Sequence, residues 1–491
     1  MLLAPFLQHA RQSPDQLLFS DEHTRLTRAQ ALAQAAALSM LLRSRTTRST
    51  VGLLLPTSVA FAVSFYGTLL SGKTAVPINF LLGEREIGHI LADSGMDTIL
   101  SAPPLAGKLA GSGLQVIDLS ALTGAAPSAP PGFEPPESSG SDLASLLYTS
   151  GTSGLPKGVM LSHGNLSSDV KAAAEHFGLT GDHRFLGIVP LFHSTGLLAT
   201  LIAPVEVGAS AYYIPRFSPV ATLQAIRQEA ISVMAAVPSM YGALLRLKDA
   251  SSQDFAGVEI AISGGEPLPA NIRAAMLQRY NVRLMEGYGL TETCGPFCAN
   301  TPDAYREGSV GRPLPGASVR VVDDSGNEVA RGQTGELLLR GPMIMRGYHN
   351  NPSATAEVMT SEGFFRSGDL GHVDADGFIF ITGRKKDMII VSGEKVYPRE
   401  VEELLMTHPA VAEAAVVGKK DASRGEVVAA YLIARPEAEL DGDQVREYCR
   451  EKGLMGWKIP REIRIVEDFP RTPTGKVLKR ELAARLEAET A

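Results

Sequence analysis

Residues Tyr148 to Val159 read YTSGTSGLPKGV, and an apolar run, Leu143 to Tyr148, leads into them. That run has the texture of a buried strand, and the apolar segment Val159-Met160-Leu161 leaves on the far side. Between them, Gly151 and Gly154 allow positive φ and leave backbone N–H groups bare. Thr149, Ser150, Thr152 and Ser153 add hydroxyl donors, and Lys157 adds a cation. A loop of amides, hydroxyls and one lysine is what a polyphosphate requires around it. The Walker pattern G-x-x-x-x-G-K-[ST] is not met, because Pro156 stands five residues after Gly151 and Gly158 follows Lys157. A plain Ser/Gly surface loop is the competing reading, and the flanking strands argue against it.

Working outward, strand-like and helical patterns alternate. Val51–Leu55 reads as a strand, Val59–Leu70 as a buried helix, Ala75–Ile78 as a strand, Glu84–Ser94 as a helix and Asp97–Ser101 as a strand. Two helices are expected over residues 1–50, and a winding Pro/Gly/Ser-rich connection over 102–141. Downstream, a helix from about Leu166 to Phe177 precedes strand Phe185–Val189, and an apolar helix is expected over Leu197–Val205. This alternation predicts an α/β layered domain. From Gly308 the texture changes to short strands, Val319–Val322, Glu336–Arg340 and Phe378–Thr382, between Gly/Asp/Asn turns: a small, mostly antiparallel β subdomain. Residues beyond about 386 suit a small α+β domain, with helices at Arg399–Met406 and Asp443–Lys452 and strands at Val411–Gly418, Glu426–Ile433 and Glu462–Ile465.

The stretch 148–159 closely resembles the phosphate-binding loop of the adenylate-forming superfamily, which includes acyl-CoA synthetases, luciferases and peptide-synthetase adenylation domains. Further segments agree with that resemblance, which spans roughly Leu53 to Leu482. It implies a large N-terminal domain of mixed sheets, 1–385, and a small mobile lid, 386–491. It also implies ATP-dependent activation of a carboxylate as an acyl-adenylate, followed by transfer to a thiol, with ATP, Mg²⁺ and CoA as the small molecules used. Gly264-Gly265-Glu266-Pro267 and Glu286-Gly287-Tyr288-Gly289 are implied at the adenine. Thr291 is implied at the α-phosphate, and Glu292 as the Mg²⁺ ligand, a hard carboxylate oxygen suiting a hard ion. Asp369, in Arg366-Ser367-Gly368-Asp369, is implied at the ribose hydroxyls, since a carboxylate offers two acceptors to a diol. Ser367 replaces the usual Thr and keeps the hydroxyl. Arg384 is implied at ribose or phosphate, Lys386 at the hinge, and Gly393 in the segment that serves the thiol step. His193 is implied beside the acyl pocket, and Lys476 as the catalytic lysine bridging carboxylate and α-phosphate. A lysine at a helix start is otherwise an ordinary solvated residue, and poorly placed against the helix dipole.

Composition narrows the alternatives. The 491 residues exceed what one core organises. A net charge of −7 gives no basic field for nucleic acid. Three cysteines, Cys294, Cys298 and Cys449, are too few for a disulfide scaffold and fit a reducing cytoplasm. The uncharged run 51–72 nominally reaches membrane-spanning length, but Pro56-Thr57-Ser58 interrupts it, so no transmembrane span is expected; peripheral membrane association is left open. By resemblance, acetate-type enzymes carry a tryptophan near the Thr-Glu-Thr segment. Here Cys294-Gly295-Pro296 follow, and the single Trp is at 457. A pocket larger than acetate is implied, with Gly196–Val205 and Val233–Tyr241 as its apolar walls and a medium- or long-chain fatty acid as the expected acid. An aryl acid, or a dicarboxylate read by Arg306, stays open, as does a carrier-protein thiol in place of CoA. The absence of an obvious insertion over 300–386 favours CoA.

Overall fold

The computed structural model describes residues 2–109, 111–119, 133–149, 155–436, 438–471 and 477–488. It forms two compact units, Met1–Val319 with Leu339–Phe365, and Arg320–Leu338 with Arg366–Ala491. The first unit is built on two sheets. A six-stranded sheet has the order Gln115–Asp118, Thr98–Ser101, Thr50–Leu54, Thr74–Pro77, Leu143–Thr149, Lys157–Ser162. Its pairs are parallel except the last, an antiparallel hairpin in which Thr149 faces Lys157. The two strands expected on either side of the loop are therefore observed, pairing as an edge hairpin whose stem carries Thr149 and Lys157.

A nine-stranded sheet runs Arg312–Pro313, Pro296–Ala299, Leu284–Gly289, Ile260–Ser263, Val233–Ala236, Arg184–Gly187, Ser210–Tyr213, Leu17–Ser20, Arg25–Thr27. Its central pairs are parallel, and the pairs at both ends are antiparallel. Parallel strands are buried on both faces, which is why Thr50–Leu54, Thr74–Pro77 and Val233–Ala236 are mostly apolar and buried along their whole length. The uncharged run at 51–72 is a strand, a turn and helix Val59–Leu70, capped by Ser58 Oγ accepting from Phe61 N at 3.3 Å. Among the described residues no helix is long and apolar enough to cross a membrane.

Two local expectations change. Residues 1–50 hold helices Leu3–Gln12 and Arg28–Arg45, but between them lies the hairpin Leu17–Ser20 and Arg25–Thr27. Its strands are too short to show a period; pairing of Phe19 with Ala211, far along the chain, creates them. The apolar helix after His193 is wound as a π-helix over Leu197–Ile202 before α-helix Ala203–Val207.

The second unit holds a four-stranded sheet, Ser318–Val322, Gly335–Arg340, Phe365–Val373, Ile379–Arg384, the last pair antiparallel. It also holds a five-stranded sheet of Glu394–Val396, Ile389–Val391, Gly425–Ala434 and Val411–Asp421, with Glu462–Ile465 paired to the third. Alternation along the long hairpin sends Val416, Val428, Ala430 and Leu432 to one core with helices Pro398–Leu405 and Gly442–Glu451. Ala415, Val417, Ala429 and Tyr431 face another core, closed by Leu482 and Leu486 of the last helix. The expected α/β chain with a small β subdomain and an α+β end is the observed fold class.

Candidate active site

In the first unit, the register Ser263↔Glu286 brings the Gly-Gly turn alongside the second glycine-rich segment. A Cβ on Gly264 would lie 3.4 Å from the Gly287 carbonyl oxygen, so Gly264–Pro267 and Glu286–Gly289 form one edge. Glu286 is buried and accepts from Leu268 N at 3.3 Å, which ties the two segments. Tyr288 is part-exposed at the end of strand Leu284–Gly289, with its carbonyl paired through Cys298 Sγ.

The chain then turns sharply. Thr291–Thr293 is a single 3₁₀ turn, and Thr293 Oγ1 bonds the carbonyls of Leu290 and Gly295, each at 2.9 Å. Gly289 and Gly295 pack backbone to backbone: a Cβ at 289 would sit 1.8 Å from the Gly295 oxygen. Cys294 holds φ +67, a left-handed strain costing about 1–3 kcal/mol, fixed by its N–H on Thr291 O and its thiol on Met343 O. The turn raises Glu292, whose Oε1 accepts from Tyr348 Oη at 2.8 Å. Glu292 is part-exposed and has no ion-pair partner among the described residues. Nor is there, among the described residues, a cluster of three metal-ligating side chains. One open carboxylate fits Mg²⁺, which keeps several waters and takes its remaining ligands from substrate phosphates.

Lys157, the cation of the quoted stretch, lies over the ring of the same Tyr348, 4.4 Å from its centroid. Burial and the Glu292 carboxylate push the Tyr348 phenol well above its ordinary value, so it stays a donor. At the other stem, Tyr148 donates to Asp93 at 2.6 Å, and Asn350 donates to the same Asp93. The first unit thus gathers Thr149, Lys157, Thr291 and Glu292 around segment 345–350, which sequence reasoning did not single out. Ser150, Gly151, Thr152, Ser153 and Gly154 lie outside the described residues, as does Lys476.

His193 caps the short helix Ser194–Gly196, its N–H on Pro190 O and its ring against Phe192, which meets Phe80 edge-on at 5.3 Å. Near it, a Cβ on Gly295 would touch Leu198 of the π-helix at 2.8 Å and Asp169 Oδ2 at 3.2 Å. Asp169 is fully buried, neither oxygen has a hydrogen-bond partner among the described residues, and burial drives its carboxyl well above the carboxylate range. This was also missed, although the buried stripe Leu166, Asp169, Val170, Ala173 has the period that would reveal it.

In the second unit, strand register sets Asp369 opposite Arg384, and Arg384 Nε meets Asp369 Oδ1 at 3.0 Å. Asp369 is buried and its N–H is held by Ser367 Oγ, so the hydroxyl kept in place of the usual Thr has a structural task. Lys386 sits exposed in a 3₁₀ turn, Lys385–Asp387. Gly393 follows Ser392 in a two-residue hairpin; φ of +52 and +89 match a type I′ turn.

Comparison with known proteins places the chain among its relatives. Residues 6–349 match the family model of AMP-binding enzymes, and 400–476 that of the AMP-binding enzyme C-terminal domain. The chain is 34% identical over 489 residues to feruloyl-CoA synthase of Amycolatopsis, covering 98% of each. It is 30% identical over 530 residues to long-chain-fatty-acid–CoA ligase of Bacillus subtilis, covering 98% of this chain and 93% of that one. The crystal structure of ATP-bound MatB from Rhodopseudomonas palustris is 30% identical and superposes over 100% of both chains with a TM-score of 0.93. With glycine-rich segments, loop lysine and carboxylate in one edge, and matches over nearly its whole length, the chain belongs to the AMP-binding enzyme family, within its branch of AMP-forming acyl-CoA synthetases.

Proposed function

We propose that this ligase activates a medium- or long-chain fatty acid with ATP and passes the acyl group to CoA. The observation that carries the acid class is the apolar lining beside the glycine-rich edge. Val237 lies where a Cβ on Gly265 would meet it at 3.6 Å, and Leu198 stands against Gly295. Leu197, Leu198 and Leu201 of the π-helix and Tyr241 are buried. The likeness to a fatty-acid ligase over almost the whole chain supports this reading.

The roles follow from the chemistry of each group. Gly264–Pro267 and Glu286–Gly289 take the adenine, and Tyr288 offers it an aromatic face. Lys157 with Thr149 and residues 150–154 takes the β- and γ-phosphates, and Thr291 the α-phosphate. Glu292 would hold Mg²⁺, which when bound would neutralise charge on the phosphates. Asp369 accepts from the ribose hydroxyls, with Arg384 orienting it. His193 borders the acyl group. Lys476 bridges the carboxylate and the α-phosphate, positioning the two anions for in-line displacement. A lid from residue 386 onward, turning about Lys386, then brings the Ser392–Lys395 hairpin into use for attack by the CoA thiol. A cytoplasmic location, with any membrane contact peripheral, suits such substrates.

A second reading, an aryl acid, rests on the 34% identity with feruloyl-CoA synthase. AMP release measured across a panel of acids, with CoA and with a carrier protein as acceptor, tests both. Octanoate through palmitate with CoA is expected to exceed acetate by more than about tenfold, since each buried methylene adds discrimination. Ferulate or cinnamate outrunning every fatty acid would replace the first reading by the second.

A further inference from the structure

We infer that Tyr348 is a positioning residue that sets the metal-binding carboxylate and the phosphate-loop lysine relative to one another. Three elements meet on its side chain. Its hydroxyl donates to Glu292 Oε1 at 2.8 Å, and its face carries the Lys157 ammonium at 4.4 Å. Its backbone bridges to Val159 of the strand leaving the phosphate loop. The neighbours of Tyr348 reinforce the placement. His349 N donates to Gly158 O at 2.7 Å and Met160 N to Gly347 O at 3.0 Å, while Met345 N donates to the Glu292 carbonyl at 2.8 Å. The segment 345–349 is therefore laced on one side to the loop's exit strand and on the other to the turn bearing Glu292.

Two opposite charges need a fixed spacing if both are to serve one polyphosphate and its cation. Left alone, a lysine and a glutamate collapse into an ion pair that competes with the ligand. The Tyr348 ring occupies the place between them, giving the cation a π face and the anion a hydroxyl, each contact being satisfied yet exchangeable. Tyr348 itself is 5% exposed, so it is held rigidly enough to act as a spacer.

The inference rests on the reading that Glu292 holds Mg²⁺, and the experiment separates the two. Calorimetric binding of MgATP and of metal-free AMP, without acid or CoA, is compared for the parent, Tyr348→Phe, Glu292→Gln and the double variant, with the melting temperature of each. Tyr348→Phe keeps the ring beneath Lys157 and removes only the hydroxyl. It is expected to weaken MgATP about tenfold, as loss of a hydrogen bond to a charged group does, with AMP binding and melting temperature unchanged. The double variant should bind MgATP no more weakly than Glu292→Gln alone. If Tyr348→Phe binds MgATP like the parent while Glu292→Gln does not, the positioning role is overturned and the metal reading stands. If Glu292→Gln binds MgATP like the parent, the metal reading fails and the inference with it. Equal weakening of AMP and MgATP by Tyr348→Phe would reduce the residue to a structural one and overturn the inference.

Discussion

The loop from Gly289 to Gly295 carries one carboxylate at its middle, Glu292, and packs its end, Gly295, against another, Asp169, and the two live in opposite surroundings. Glu292 rises on the 3₁₀ turn into a part-exposed position, with Tyr348 donating to one oxygen and Lys157 beyond the same ring. Asp169, beside Gly295 at the base, is fully buried with no hydrogen-bond partner among the described residues. The first carboxylate is part-exposed and has a hydroxyl donor on one oxygen. The second is forced to keep its proton because nothing near it stabilises charge. One short loop thus has a part-exposed acid with a donor at its tip and an unpartnered buried acid packed against its root. An unpaired buried polar group of this kind costs about 1–3 kcal/mol, which marks the root of the loop as a place where stability is given up.

The strongest way to break the contrast is at the tip. Glu292→Gln is expected to lower ATP–pyrophosphate exchange about 10²–10³-fold, the loss typical of removing one electrostatic stabiliser. The melting temperature should hold, since a glutamine still accepts from Tyr348; a fall in both would mean that Glu292 serves the fold. Next comes the loop itself. Gly289→Ala drives a Cβ into the Gly295 carbonyl, so the backbone must move, with about 1–3 kcal/mol lost in chemical denaturation. An unaltered midpoint would show that the loop is looser than its packing implies.

The smallest effect is at the root, and it depends on pH. The Asp169 carboxyl is raised by burial, so the folded chain binds a proton that the unfolded chain releases. That contribution to stability is present below the ordinary carboxylate range and is lost as pH rises above it. Asp169→Asn keeps the shape and removes the ionisation. Its melting temperature relative to the parent is expected to improve steadily as pH rises from 5 to 8. An offset independent of pH would place a solvated or paired carboxylate at 169.

Much of the site was legible because its residues are local. Strand, hydroxyl-rich loop and strand follow one another from Leu143 to Ser162, and the register of two adjacent strands brings the glycine-rich turns together. Asp369 and Arg384 are 15 positions apart in the chain, and a single hairpin pairs them. Tyr348 was not legible. Its partners, Lys157 and Glu292, are distant along the chain, and no spacing around RGYHN announces them. Asp169 lies on an apolar stripe of its helix, but the stripe does not say whether folding brings it a partner. The hairpin at Leu17–Thr27 was invisible for the same reason as Tyr348: its pairing partner is at Ala211.

The sequence by itself determined the alternation of strands and helices, the glycines where backbones must approach, and the family that those motifs mark. Those are properties of short windows, where propensity, period and turn chemistry act between neighbours. Only the tertiary structure decided which charges share a tyrosine, which acid is stranded in the core and which turn is strained at Cys294. Each of these depends on contacts between segments far apart in the chain, and the energy of such contacts is set by burial and by the partners that folding brings or withholds.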